Sequence, residues 1–277
     1  MNFKSPFLTK GLALFSLTQI LGIYFARKIL AEAALIPIND ISAFSVSDFI
    51  YLIIAISLFL FFTLKFPKFG AFLFRTFLTL IIFSASQLIL SLWFNQIFAL
   101  VGAIGITAVF WIYPSVILQN LIMIFSMATL GAIFGLSLTP IAVVWILVIF
   151  SFYDIIAVYI TGHMVKMAES MLKAKAIFGL IIPKSASGFK ESMKRVEVGE
   201  QFMILGSGDV ILPLILSVSL IRVSLLQSTI VAVFSALGFI TVGVLFASQK
   251  IRRPMAALPP IAALSIIGYL IGLLIIR

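Results

Sequence analysis

The sequence predicts an all-α, polytopic membrane protein with nine transmembrane helices. Three observations carry that prediction: 63% of residues are hydrophobic, only 10% are charged, and the apolar residues fall in runs of helix length separated by short polar or proline-containing breaks. With a mean hydropathy of +1.27, the chain lies far outside the range of soluble domains. A span needs about 20 apolar residues, so 277 residues accommodate many helices and almost no extramembrane domain.

Taken in order, the runs cover residues 8–25, 49–64, 69–94, 97–112, 116–136, 140–164, 201–221, 225–246 and 260–276. Each is a helix candidate, because a spanning segment must satisfy its own backbone hydrogen bonds. The first is read as a retained helix. Ala31-Glu32-Ala33 follows it, but Arg27 and Lys28 intervene where a cleavage region should be uncharged. The fourth is short; Asn95, Pro114 and the stretch 137–140 supply the turns around it and its successor. Gly131 with Gly135, and Gly268 with Gly272, each place two glycines on one helix face for close packing. The organisation is then residues 1–164 as helices one to six, residues 165–200 as a cytoplasmic connecting loop, and residues 201–277 as helices seven to nine.

The cations orient the bundle. Threading the runs back and forth puts Lys4, Lys10, Lys65, Lys68, Arg75, Lys166, Lys173, Lys175, Lys184, Lys190, Lys194, Arg195, Lys250, Arg252 and Arg253 on one side, against Arg27, Lys28, Arg222 and Arg277 on the other. The positive-inside rule places the N-terminus in the cytoplasm and the C-terminus outside. The net charge of +10 therefore reads as topology and lipid-headgroup contact; no nucleic-acid surface is expected.

The chain has no cysteine and a single histidine, His163. Disulfides, thiol nucleophiles, iron–sulfur clusters and histidine- or thiolate-based zinc sites are excluded. His163 falls at the cytoplasmic rim, where a surface role is expected. Catalysis, if present, uses oxygen chemistry, with no metal and no organic cofactor.

Nine acidic residues occur, and only Asp154 and Asp209 lie deep in apolar runs. A carboxylate at mid-bilayer costs roughly 2.5–3.5 kcal/mol on insertion scales, so two of them mark a working site. Measured from Lys166 and Glu200 along ideal helices, they lie roughly 18 and 14 Å deep on antiparallel neighbours, at about the same level. Two carboxyls in contact would share a proton, so that one can accept a proton from water while the other donates to a carbonyl. Gly206 and Gly208 allow close approach beside Asp209. Pro213 lacks an amide hydrogen and leaves the Asp209 carbonyl without its helical partner. Ser151 is placed three residues before Asp154 to reach its carboxyl, with back-bonding to its own helix as the competing use. Tyr153 is expected to pack.

Tyr153-Asp154, Gly206-Ser207-Gly208-Asp209 and Ala257-Leu258-Pro259 together resemble the presenilin and signal peptide peptidase family of intramembrane aspartyl proteases, in its archaeal-type form. By motif the resemblance covers residues 150–261. It implies a presenilin-like fold, Asp154 and Asp209 as the catalytic pair, and Tyr153, Gly206, Ser207, Gly208, Ala257, Leu258 and Pro259 as residues that shape the active site or bind substrate. It also implies transmembrane-helix proteins as substrates, in a prokaryotic cell membrane; a homo-oligomer is allowed. Two positions depart from the family pattern: Ala256 stands where its last motif has proline, and Ser207 where its glycine motif usually has leucine.

Between the catalytic spans, residues 178–183 are too apolar for a linker and residues 195–198 alternate as a strand would. Such pieces could pair with an unwound substrate, as the resemblance implies, or could lie on headgroups as an interfacial segment. Other functions use the same acids: a transporter or proton-coupled channel, or a non-catalytic scaffold. A prepilin-type peptidase matches Asp154 less well, and a rhomboid-type serine protease would need a different motif and a histidine partner.

Overall fold

The computed structural model describes residues 6–33, 67–196, 201–249 and 254–275. Nine α-helices lie among them: α1 (Pro6–Ala33), α2 (Pro67–Leu90), α3 (Gln96–Ile112), α4 (Val116–Ser137), α5 (Pro140–Ile155), α6 (His163–Ala174), α7 (Ser207–Ser219), α8 (Leu225–Ser248) and α9 (Leu258–Ile275). All but α6 are apolar spans anticipated from the sequence. Six reach the length and hydropathy needed to cross a membrane, and α3 and α7 are shorter. The predicted span at 49–64 lies outside the described residues.

The breaks between helices are those marked by polar residues. Asn95 caps α3 by accepting the Phe98 amide at 3.0 Å, Ser115 caps α4, and Thr139 caps α5 with Pro140 at its first position. Each side chain satisfies an amide that the helix leaves unpaired. α4 sits at the centre, packed on both α1 and α7. The glycine pair explains how closely: a Cβ on Gly131 would lie 2.5 Å from Leu214, and one on Gly135 would lie 2.5 Å from Val218. Gly22 of α1 meets Leu214 from the other side, so this leucine is wedged between two glycine-lined helices. Gly268 and Gly272 of α9 receive Phe234 and Gln227 of α8 in the same way. Phe15 of α1 stacks on Phe239 of α8, with ring centroids 5.2 Å apart.

The connection before α7 differs from expectation. Strand β1 (Gly179–Pro183) pairs antiparallel with β2 (Phe202–Gly206), in register from Gly179 opposite Gly206 to Pro183 opposite Phe202. The first strand falls in the apolar stretch 178–183, which is too apolar for a linker. The second is Phe202–Gly206; of the expected stretch 195–198, Arg195 closes a short 3-10 turn (Met193–Arg195), and residues 197 and 198 lie outside the described residues. The predicted helix at 201–221 accordingly begins only at Ser207. Phe202-Met203-Ile204-Leu205 is apolar enough for either state, and pairing with β1 selects the extended one. Ahead of β1, α6 is an amphipathic helix in the segment read as a loop, and its Met167 and Met171 pack on the core.

Every residue of β1 is buried, and its outer edge is closed by side chains. Asn120 of α4 donates to the Ile181 carbonyl at 2.7 Å and accepts the Ile181 amide at 2.7 Å, so one carboxamide takes the place of a neighbouring strand. Gln119 donates to the Ile177 carbonyl at 2.7 Å. Lys10 of α1 donates to the carbonyls of Pro183 and Lys184 at the strand's end. The outer edge of β2 receives no such cover from the named elements.

Candidate active site

Helices α5, α7 and α9 are mutual neighbours, and they carry Asp154, Asp209 and the Ala257-Leu258-Pro259 turn respectively. Asp154 lies in the last turn of α5 and is 5% exposed. Immediately after it the helix widens into a π segment, Ile156–Ile160, which ends at Gly162 in the left-handed conformation (φ 61°). Local π turns are a recurrent feature of functional helices.

The Asp154 carboxylate is anchored from α9. Its Oδ2 accepts the Leu258 amide at 3.2 Å, and the Ala257 amide also donates to the carboxylate. The first turn of α9 explains why this donor is free. Helix N-termini leave amides unpaired, and here the next two residues are Pro259 and Pro260, which have none. The carboxylate thus faces the positive end of a helix dipole, with the Leu258 and Ala257 N–H groups directed at it. Ala256, at the position where the family pattern has proline, is buried just before this turn.

Asp209 is the third residue of α7, half-buried, and interacts electrostatically with Asp154. Its carboxylate reaches back to the Gly206 amide at the helix start, one half of a capping box. A Cβ on Gly206 would lie 3.2 Å from the Asp209 Oδ2, so glycine keeps this carboxyl uncrowded. Gly208 is exposed, and a Cβ there would meet nothing within 4 Å; its value is open space on the accessible side of the acid. Pro213 lies inside α7, four residues after Asp209, and cannot bond the Asp209 carbonyl. Gln19 of α1 reaches the same turn, donating to the Val210 carbonyl at 3.1 Å.

The remaining expectations divide. Ser207 opens α7 and donates its amide to the Phe178 carbonyl, continuing the hairpin into the helix. Tyr153 is 44% exposed, with its ring centroid 6.4 Å from that of Phe150. Ser151 does not reach Asp154: its hydroxyl donates to the Leu147 carbonyl at 2.6 Å, because a serine inside a helix finds the preceding turn nearer than a side chain on the following one. Sequence reading passed over Gln19, Gln119 and Asn120. Their signal was an amide side chain inside an otherwise apolar span, where each must find a backbone partner.

No curated protein sequence matches the chain. Two solved structures of a presenilin-family intramembrane aspartate protease do resemble it. One, in a C222 crystal form, is 24% identical over 97% of this chain and 98% of its own, with a TM-score of 0.65; the other, in a P2 form, is 26% identical over 95% and 96%, with a TM-score of 0.61. The family model of signal-peptide peptidase, presenilin aspartyl protease matches residues 12–277. The chain therefore belongs to the signal-peptide peptidase and presenilin family, and is an integral membrane protein and an intramembrane aspartyl protease.

Proposed function

We propose that Asp154 and Asp209 are the catalytic pair of this protease. The observation that supports the reading is their juxtaposition: two carboxyls on neighbouring helices lie within electrostatic reach of each other, one held by the α9 amides and the other on the accessible first turn of α7. Sharing one proton, the pair is both base and acid. One carboxylate takes a proton from water as the water oxygen bonds to the peptide carbonyl carbon, and the partner donates its proton toward the carbonyl oxygen. Proton return to the nitrogen of the tetrahedral intermediate lets the C–N bond break.

The other motif residues position this chemistry. Ala257, Leu258 and Pro259 hold Asp154, Gly206 and Gly208 leave room for Asp209 and the substrate backbone, Ser207 joins hairpin to helix and faces substrate choice, and Tyr153 packs on its own helix. A transmembrane helix has its amides and carbonyls satisfied internally, so it must be unwound before cleavage. The outer edge of β2 runs directly into Asp209 and offers an unwound segment a strand to pair with.

The distribution of basic residues supports an N-terminus and a 165–200 connection in the cytoplasm and a C-terminus outside, and the family likeness supports a prokaryotic, archaeal-type cell membrane. Substrates are then helices with their N-terminus outside; a homo-oligomer is compatible with this arrangement. The test is hydrolysis of a labelled transmembrane peptide by the purified protein in detergent. Cleavage blocked by a transition-state analogue of aspartic proteases is expected, and turnover retained by Asp154→Asn or Asp209→Asn refutes the assignment.

A further inference from the structure

Away from the two aspartates, at the end of the bundle where the cations collect, a cavity of about 410 Å³ opens between α2, the α3–α4 turn and the segments following α6 and around Met193. Its volume is within the usual range of small-molecule sites, about 300–1,000 Å³. Among the described residues three cations line it, Arg75, Lys175 and Lys194, and no carboxylate does. Nearby Glu191 is already engaged, with its Oε2 3.3 Å from the Arg195 guanidinium. Arg75 is fixed in place by donating through Nε to the Ala174 carbonyl at 2.8 Å, which leaves its terminal nitrogens for another acceptor.

The rest of the wall is apolar. Phe110, Trp111 and Ile112 close one side, and the Trp111 ring is held by its N–H bond to the Thr79 hydroxyl at 3.0 Å. From Ile112 exposed apolar side chains run back along α3 through Val109, Ile104, Val101 and Ile97. A soluble anion has no use for those side chains. A lipid fits both halves, with its phosphate among the cations and an acyl chain along α3.

We propose that this cavity is a binding site for the headgroup of an anionic phospholipid. The floor residue Gln119 bonds the Ile177 carbonyl, and its neighbour Asn120 holds β1, so a bound headgroup sits on the support of the hairpin that leads to Asp209. Occupancy would brace that hairpin from behind.

The test uses the full-length protein in detergent micelles, titrated with phosphatidylglycerol or phosphatidylcholine and read by native mass spectrometry. One phosphatidylglycerol is expected to be retained in preference to phosphatidylcholine. At roughly 1 kcal/mol for each cation near an anionic headgroup, the double variant Lys175→Gln/Lys194→Gln should bind it about 30-fold more weakly. Both lysines are exposed, so the variant should unfold at the wild-type temperature when lipid-free. Lys173→Gln, equally exposed but outside the cavity, should bind as wild type does. Equal retention of both lipids, an unchanged affinity in the double variant, or an equal loss in Lys173→Gln would overturn the site. Displacement of the lipid by an equal concentration of free glycerol phosphate would overturn the lipid as its ligand.

Discussion

The Asp154 carboxylate accepts the backbone amide of Leu258, a residue 104 positions later, at 3.2 Å. This single bond joins two helices that sequence separates and gives the least exposed acid among the described residues a fixed direction. It also divides the functions of Leu258. The side chain, 4% exposed, fills a cluster with Val143, Leu147 and Ile215, whereas the N–H addresses the acid. Leu258→Ala should therefore lose about 2–4 kcal/mol of stability by leaving a cavity while keeping the pH dependence of turnover. Leu258→Pro should deprive Asp154 of the first of its two amide donors and lower kcat. Thermal unfolding and pH–rate profiles on one labelled peptide separate the two.

If the acids work as a pair, their substitutions are not additive. Asp154→Asn and Asp209→Asn should each abolish measurable turnover, and the double variant should be no worse than either, since groups acting as a unit fail together. Asparagine can still accept the Leu258 amide, so Asp154→Asn should remain folded. In the wild type, kcat/KM should fall on both sides of an optimum: a second proton on the pair removes the base, and loss of the shared proton removes the acid. A profile that rises monotonically to a plateau would contradict a shared proton.

The two glycines beside Asp209 should behave differently despite sharing a motif. Gly206 has φ −60° and ψ 145°, which alanine adopts without strain, yet the new methyl would lie 3.2 Å from the carboxylate. Gly206→Ala should reduce turnover with little loss of stability. Gly208→Ala meets open space in the free protein, so any effect of it should appear as a raised KM, when substrate occupies that space. Steady-state kinetics of the two variants distinguish crowding of the acid from crowding of the substrate.

How far the sequence foretold this molecule depends on the range of the interaction concerned. The apolar runs, the turns at Asn95, Pro114 and 137–140, and the two deep acids are local features, and each was legible; that Asn95, Ser115 and Thr139 cap the helices there was not read. The start of α7 was not. Residues 202–205 carry no helix-breaking residue, and their extended state is decided by Gly179–Pro183 and, behind them, by Asn120 far earlier in the chain. The amide that anchors Asp154 was equally hidden, because backbone donors have no sequence signature; only the two prolines following Leu258 hinted that one N–H would stand alone. The amphipathic α6 could have been found from the spacing of Met167 and Met171, which a reading focused on charge overlooked.

The glycine-lined contact of α4 with α7 predicts a rescue. Gly131→Ala would put a methyl 2.5 Å from Leu214 and should cost about 1–3 kcal/mol by overpacking. Leu214→Ala alone should cost a similar or larger amount, because it empties a fully buried position. Combined, the two changes exchange volume across one contact, and the double variant should be more stable than the sum of the separate losses implies. Thermal unfolding of the four proteins measures the coupling; strict additivity would mean that the helices do not meet at this point.

Asn120 offers the most direct handle on the hairpin, since its one carboxamide satisfies both the amide and the carbonyl of Ile181. Leaving buried backbone groups unpaired costs about 1–3 kcal/mol each, so Asn120→Leu should loosen β1 far more than loss of the side chain's volume would. The loss should be local. Hydrogen exchange should quicken at Ile181 and its strand neighbours, while amides of α8 and α9, which pack elsewhere, keep their protection. Because β1 supports β2 and β2 ends at Gly206, turnover should fall along with strand protection, with Asp154 and Asp209 unaltered. Asn120→Asp tests the polarity of the contact: it keeps the acceptor for the Ile181 amide but places a second oxygen against the Ile181 carbonyl, and should be at least as damaging as leucine. Full activity in both variants would show that the hairpin does not need its side-chain edge.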